Sequence, residues 1–197
     1  MDEEISRCLR YKTPLTLILG PTANLLKKTN DDYFRNSLGL IEKNAKRLLG
    51  LINEILDLSK LDAGKMELQL QKGDIADFVR KQGLQFSSLA ESKNITLDYA
   101  LSEQSGEIAF DPDKLHKILT NLLSNAFKFT ASGGTVSVST YSVVKGKRQY
   151  IGIKIADTGS GIPEKHLQNI FERFYHANQK DYTTDQPGTG IGLALTR

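Results

Sequence analysis

NLLSNAFKFT at residues 121–130, DTGSGIP at 157–163 and GTGIGL at 188–193 form an ordered triple whose joint reading decides the fold. Singly each is weak, because short glycine-rich runs most often mark turns and helix asparagines most often face solvent. In this order and this close together they describe one nucleotide site. Asn121 and Asn125 are four apart, so their carboxamides share one helix face while Leu115, Ile118, Leu119, Leu122 and Leu123 pack the others. An asparagine carbonyl is a hard, neutral oxygen that suits Mg²⁺, an ion that keeps several waters and binds substrate phosphates. Lys128, three residues past Asn125, can meet the same phosphates as a point charge.

Asp157 ends the strand-like run IGIKIAD. A carboxylate there can accept a hydrogen bond from an exocyclic amine, which separates adenine from guanine, and Gly159 and Gly161 let the backbone approach the ring. A plain strand-to-helix turn capped by Asp157 is the bland reading of the same residues. Gly188, Thr189, Gly190 and Gly192 run into Leu193, Ala194 and Leu195, an apparent helix start whose free amides and dipole attract polyphosphate. Between the glycine motifs, a polar stretch over 172–187 with Asn178, Gln179, Lys180, Asp181, Thr183, Thr184 and Asp185 reads as a lid. ATP with Mg²⁺ is therefore the expected cofactor.

Working outward, a short run at Glu107–Phe110 leads to Asp111 and Pro112, which start the asparagine-bearing helix. Residues 135–144 and 150–157 alternate with β-branched side chains and read as an antiparallel hairpin joined through Lys145, Gly146 and Lys147. Further upstream, 65–72 and 96–100 read as strands and 74–92 as one helix. The mixture predicts an α/β sandwich, with helices on one face of a mixed sheet.

The first third has a different character. Leu15, Ile18, Thr22 and Leu25 step by three and four, widened by Leu19 and Leu26, and predict a helix over 13–28. Leu38, Ile41, Ala45, Leu48, Ile52 and Ile55 repeat the pattern over 32–61, with a turn and N-cap at 29–32. One hairpin of this length cannot bury both stripes, whereas two side by side make a four-helix bundle, so a homodimer is expected. Leu61, Asp62, Ala63 and Gly64 break the pattern, which places a domain boundary between 1–64 and 65–197. The overall class is α+β.

With 39% hydrophobic and 25% charged residues and a net charge of +3 over 197 residues, the composition is that of an ordinary globular chain. The basic residues are scattered among acids, which argues against a nucleic-acid partner. No run approaches a membrane span, so no membrane contact by this chain is expected. One cysteine, Cys8, excludes an internal disulfide and fits a reducing compartment.

The motifs together resemble the catalytic core of a sensor histidine kinase, over nearly the whole length. NLLSNAFKFT is similar to that family's N box, DTGSGIP to its first G box, FERFY at 171–175 to its F box and GTGIGL to its second G box. The hairpin resembles the dimerisation and phosphotransfer domain, with TPLTLILGP at 13–21 matching the stretch after the phosphoacceptor, in a phrasing most like hybrid kinases of Bacteroides type. The resemblance implies a Bergerat-type ATP-binding fold, Mg²⁺-ATP, a homodimer, a response-regulator receiver domain as phosphoryl recipient, and the cytoplasmic side of an inner-membrane protein. It places Asn125 on the metal, Asn121 and Lys128 at the phosphates, Asp157 on adenine, and Thr13 and Pro14 beside the acceptor. The gyrase and heat-shock-chaperone ATPases share such a pocket, but the preceding hairpin argues against them.

Two departures stand beside these matches. The family's His-Glu pair lies four and three residues before the Thr-Pro, where this chain has Leu9 and Arg10. Neither can accept phosphate or act as a base, and His116, His166 and His176 lie far along the sequence. The acceptor segment is therefore expected to be missing from the chain, or else replaced. An ATP-binding scaffold that does not phosphorylate itself is the alternative function. The family's sheet also continues through two more strands beyond Arg197, so a chain ending there is expected to have a C-terminally incomplete, less stable ATP-binding domain.

Overall fold

The computed structural model describes the chain except residues 1, 103–106, 147, 177–188 and 197, and for residues 2–11 and 13 it describes the backbone alone. It divides into two compact units, 1–66 and 67–197. No helix among the described residues is long and apolar enough to cross a membrane.

The first unit is a helical hairpin, α1 (Asp2–Lys28) and α2 (Asp32–Asp62). The Asp31 carboxylate accepts from the N–H groups of Tyr33 and Phe34 and so caps the start of α2. Helix α1 starts eleven residues ahead of the expected Thr13, because 2–12 hold no glycine or proline and the helix continues through Pro14 and Pro21. Thr22 and Ala45, both on the expected seam, are buried, whereas Ile18, Leu25, Ile41 and Leu48 stay 44–53% exposed. The exposed pairs are heptad-spaced, seven apart on each helix. A seam of two helices thus leaves a second apolar stripe uncovered.

The second unit opens with a two-stranded antiparallel ribbon of β1 (Gln71–Asp74) and β3 (Glu107–Phe110). Helices α3 (Ile75–Leu84) and α4 (Ser87–Lys93) and strand β2 (Thr96–Ala100) lie between them in sequence. Then come α5 (Pro112–Phe129), β4 (Thr135–Lys145), β5 (Arg148–Asp157) and the short α6 (Glu164–Leu167), with a 3-10 turn at Ala194–Thr196. β4 pairs parallel with β2 and antiparallel with β5, giving a mixed sheet in the order β2-β4-β5. Its inner face presents Val136 and Val138 to a core of Ile75, Val79, Ala90, Leu119, Leu123, Ala126 and Phe127, so the three helices cover one side of the sheet. Phe127, fully buried, stacks on Phe86 with centroids 5.5 Å apart. Burial of such a ring contributes about 1.5–3 kcal/mol.

Two upstream expectations are corrected. The expected strand at 65–72 is confined to 71–74. Its partner β3 ends at Phe110, where the chain turns into α5, so Gln69 N–H meets the Asp111 carboxylate at 2.8 Å rather than a backbone ladder. The expected single helix over 74–92 is two, α3 and α4. The ring and hydroxyl of Tyr99 lie against Gly83, within 2.5–3.0 Å of where a Cβ would stand, and the turn that follows brings Phe86 onto Phe127.

Asp111 joins these parts. One carboxylate oxygen caps α5 through the N–H groups of Asp113 and Lys114, and the other holds Gln69. The Gln69 and Lys114 N–H groups, helped by the Lys114 charge and the Asp113 N–H and opposed by burial, keep its carboxyl below the usual carboxylate range. A depressed folded-state value means the stabilisation is complete above the unfolded value of about 3.9 and is lost as pH falls through the folded one. Asp111→Asn keeps the cap but turns an NH₂ toward Gln69. We expect a lower urea midpoint at pH 7 and a shallower loss of stability below about pH 4; an unaltered acid limb in circular dichroism would contradict this.

Candidate functional site

Helix α5 organises the site. Its buried face carries Leu119, Leu123, Ala126 and Phe127, and Asn121, Asn125 and Lys128 lie off that face, only partly buried. The helix starts at the Asp111 cap with Pro112 in its first turn and ends at Thr130, whose hydroxyl and N–H both donate to Ala126 O. Lys93 donates to Phe127 O at 2.8 Å, so one carbonyl left free by the last turn is satisfied from α4. The face bearing the amides is thereby held in place by its opposite side.

Both glycine segments meet this helix. At its C-terminal end, Gly159 lies so close that a Cβ there would stand 2.5 Å from Phe129 O and 2.7 Å from Asp157 Oδ1. Gly159 N–H donates to Asp157 Oδ1 at 2.9 Å, which fixes the carboxylate at the end of β5. Thr158 ties the same turn to β4, its N–H donating to Thr135 O and its hydroxyl accepting from Thr135 N–H. Gly161 follows with φ +68°. Two turns back along α5, Asn121 Nδ2 donates to Gly192 O at 3.1 Å, and a Cβ on Gly192 would stand 3.3 Å from that amide. Contacts at residues 121 and 129 bracket about 12 Å of helix at 1.5 Å per residue, and Asn125 sits midway.

Asn125 is half-buried and its amide makes no hydrogen bond among the described residues. The Lys128 ammonium lies 5.3 Å from the centre of the Phe129 ring, and burial lowers it from the ordinary lysine value. Thr189 Oγ1 accepts from Ile191 N–H at 3.3 Å. Gly190, at φ +69°, accepts at its carbonyl from Phe174 N–H. Of the expected site residues, the structure thus gathers Asn121, Asn125, Lys128, Asp157, Gly159, Gly161, Thr189, Gly190 and Gly192 along one helix and its two flanking loops. Gly188 and the expected lid residues 178–185 lie outside the described residues.

Sequence reasoning missed Thr158, Phe174 and the Phe129 carbonyl. Thr158 and Phe174 stand inside quoted motifs, but a carbonyl's role leaves no mark on residue type. A cleft between α4 and β2, lined by Ala90, Glu91, Asn94, Leu97 and Tyr99, has neither glycine loops nor paired amides and lies apart from this arrangement.

A mixed sheet backed by three helices, with an amide-bearing helix between two glycine loops, defines an ATPase-type domain, here preceded by a helical hairpin. Residues 110–197 match the family described as "Histidine kinase-, DNA gyrase B-, and HSP90-like ATPase", and residues 11–64 match the "His Kinase A (phospho-acceptor) domain". The two matches, in this order, make up a histidine kinase catalytic core. It is 38% identical to hybrid signal transduction histidine kinase D of Dictyostelium discoideum over 189 residues, covering 94% of this chain and 12% of that protein. It is 36% identical to sensor histidine kinase TmoS of Ectopseudomonas mendocina over 190 residues, covering 94% of this chain and 19% of that one. It therefore spans less than a fifth of the length of these relatives. Full-length ShkA, solved with AMPPNP, superposes with a TM-score of 0.81 at 30% identity over 98% of this chain and 39% of that one.

The closeness of Gly159 to α5 is testable alone. Gly159→Ala forces a methyl into the Phe129 carbonyl, and overpacking of this kind costs about 1–3 kcal/mol. We expect the second unit to melt several degrees lower by calorimetry; an unchanged melting temperature would show that the turn can back away from the helix.

Proposed function

We propose that this chain is the nucleotide-binding and dimerising core of a two-component sensor kinase. In the parent protein it moves the γ-phosphoryl of ATP to a histidine nitrogen, forming a P–N bond and releasing ADP. The phosphoryl then passes to an aspartate of a response-regulator receiver domain. The observation that carries the reading is the Asn125 amide, without a hydrogen bond among the described residues, midway between two glycine loops that α5 holds in register. ShkA, the structural relative with AMPPNP, supports a triphosphate there. In such transfers a protein chiefly positions groups and neutralises charge.

Asn125 is the proposed metal ligand. One neutral amide oxygen suits an ion completed by waters and phosphates, and no cluster of three His, Cys, Asp or Glu among the described residues offers an all-protein cage. Mg²⁺ held there would supply positive charge to offset that of the phosphates. Asn121 and Lys128 flank the phosphates; Asp157, fixed by Gly159 N–H, accepts from the adenine amine; Gly159 and Gly161 shape the base pocket. Gly188, Thr189, Gly190 and Gly192 wrap the phosphates. Residues 65–197 form the catalytic domain and 1–64 the hairpin, whose exposed heptad stripe of Ile18, Leu25, Ile41 and Leu48 supports a homodimer. The parent is proposed to be a membrane-anchored hybrid kinase of Bacteroides type, with this core on the cytoplasmic side.

Leu9 and Arg10, standing where the phosphoacceptor pair belongs ahead of Thr13 and Pro14, favour a second reading for the chain as sequenced: it binds ATP without labelling itself. Incubation with γ-labelled ATP is expected to leave no acid-labile phosphate on the protein, and a stable label would refute that reading. Titration calorimetry with Mg²⁺-ATP should release heat, and Asn125→Ala should weaken binding at least tenfold in Mg²⁺ while changing it little in EDTA. No heat from the unsubstituted chain would sink the nucleotide assignment.

A further inference from the structure

His166 is a polar side chain that the proposed chemistry does not use, and it is buried to 7% exposure. It lies in α6, just after the first glycine loop, and its backbone N–H donates to Pro163 O. Its Nδ1 is 2.6 Å from the hydroxyl of Tyr175, nine residues on, with ring centroids 6.0 Å apart. Between them the chain folds back through successive turns, Asn169 N–H to His166 O and Glu172 N–H to Asn169 O, each 2.9 Å.

The residue before Tyr175 is strained. Phe174 has φ +59°, a left-handed conformation that costs a non-glycine residue about 1–3 kcal/mol and persists only where its surroundings over-determine it. The ring is not what holds it, being 60% exposed. Its backbone is held on one side by Gly190, whose carbonyl accepts Phe174 N–H at 2.9 Å and where a Cβ would stand 2.7 Å from Phe174 Cα. On the other side, Tyr175 is anchored to His166. His176 completes the contact, its Nε2 lying 3.0 Å from that same Cβ position.

We propose that His166 is a positioning residue for the second glycine loop. Its ring fixes the Tyr175 hydroxyl, that bond holds Phe174 left-handed, and the Phe174 N–H sets where Gly190, and with it the phosphate-facing backbone, stands. The buried imidazole thus links the loop that follows the base-binding carboxylate to the loop that receives the phosphates. It touches neither nucleotide nor metal itself. A histidine that merely fills the core would support the fold equally for every ligand, whereas this one is bonded to Tyr175, next to the residue that meets the phosphate-side loop. The inference rests on the nucleotide reading above.

The test uses the whole chain, with calorimetric titrations of Mg²⁺-ATP and of adenosine. Tyr175→Phe removes only a hydroxyl. It should weaken Mg²⁺-ATP about fivefold, the scale of one net hydrogen bond, and leave adenosine binding unchanged. His166→Phe should do the same, with no further loss in the double variant, and His166→Gln should restore part of the affinity because its amide can reach the hydroxyl. Equal loss for both ligands, additive losses, or unchanged Mg²⁺-ATP binding in Tyr175→Phe would overturn the positioning role while leaving the nucleotide site standing. If the unsubstituted chain bound neither ligand, both proposals would fall together.

Discussion

The site depends on the fixing of α5 between two glycine loops. At one end the Phe129 carbonyl meets Gly159 so closely that no side chain fits between them, and two turns earlier the Asn121 amide holds Gly192 O. The second loop is anchored as well by the buried side chain of Ile191 between Gly190 and Gly192, and both loops meet the same helix. Their separation is therefore set by the pitch of one helix, the stiffest ruler a small domain owns. That helix is in turn immobilised by Leu119, Leu123 and Phe127 in the core, by the Asp111 cap at its start and by Lys93 on its last turn. Hydrophobic packing on one face thus becomes positional accuracy on the other, where function needs polar groups at fixed spacing.

Both asparagines project from this rigid element, but they are used differently. Asn121 spends an N–H on the protein's own backbone. Asn125 keeps its whole amide available while only half-buried. A partly buried amide with no partner among the described residues bears on binding more directly than its neighbour does. Asn121 shapes the loop, and Asn125 is left to meet what the loops enclose. Lys128, with its ammonium over Phe129 and its charge disfavoured by burial, is held at the helix end near the Gly159 turn, where an anion would offset the cost of burial.

Much of this was legible in the sequence because the relevant signals are local. The four-residue spacing of Asn121 and Asn125, the Asp-Pro start of α5 and the alternation of β4 and β5 each depend on neighbours in the chain, and each formed as expected. The antiparallel pairing of β4 with β5 followed from the short turn between them. What escaped was decided by distant residues. Whether 65–70 continue as a strand depends on Phe110 being the last residue of its partner, forty residues away. Whether α3 runs on into α4 depends on the Tyr99 ring lying on Gly83. Periodicity cannot register either event, because in both the local pattern remains compatible with the longer element.

The two units also bury their apolar stripes differently. In the α/β unit, the stripe of α5 meets a sheet face of matching width, and its central residues are buried almost completely. In the hairpin, two helices share one narrow seam at Thr22 and Ala45, and geometry forbids each from covering more than part of the other's apolar arc. Half-exposed Ile18, Leu25, Ile41 and Leu48 follow from that, not from a lapse in patterning, since on each helix the two stand one heptad apart. A sequence that keeps such a stripe apolar on both helices carries a preference for company that the fold of a single copy cannot satisfy. The α/β unit, with its principal helix already covered on its apolar side, carries no such demand from α5 and presents instead a polar face set for a ligand.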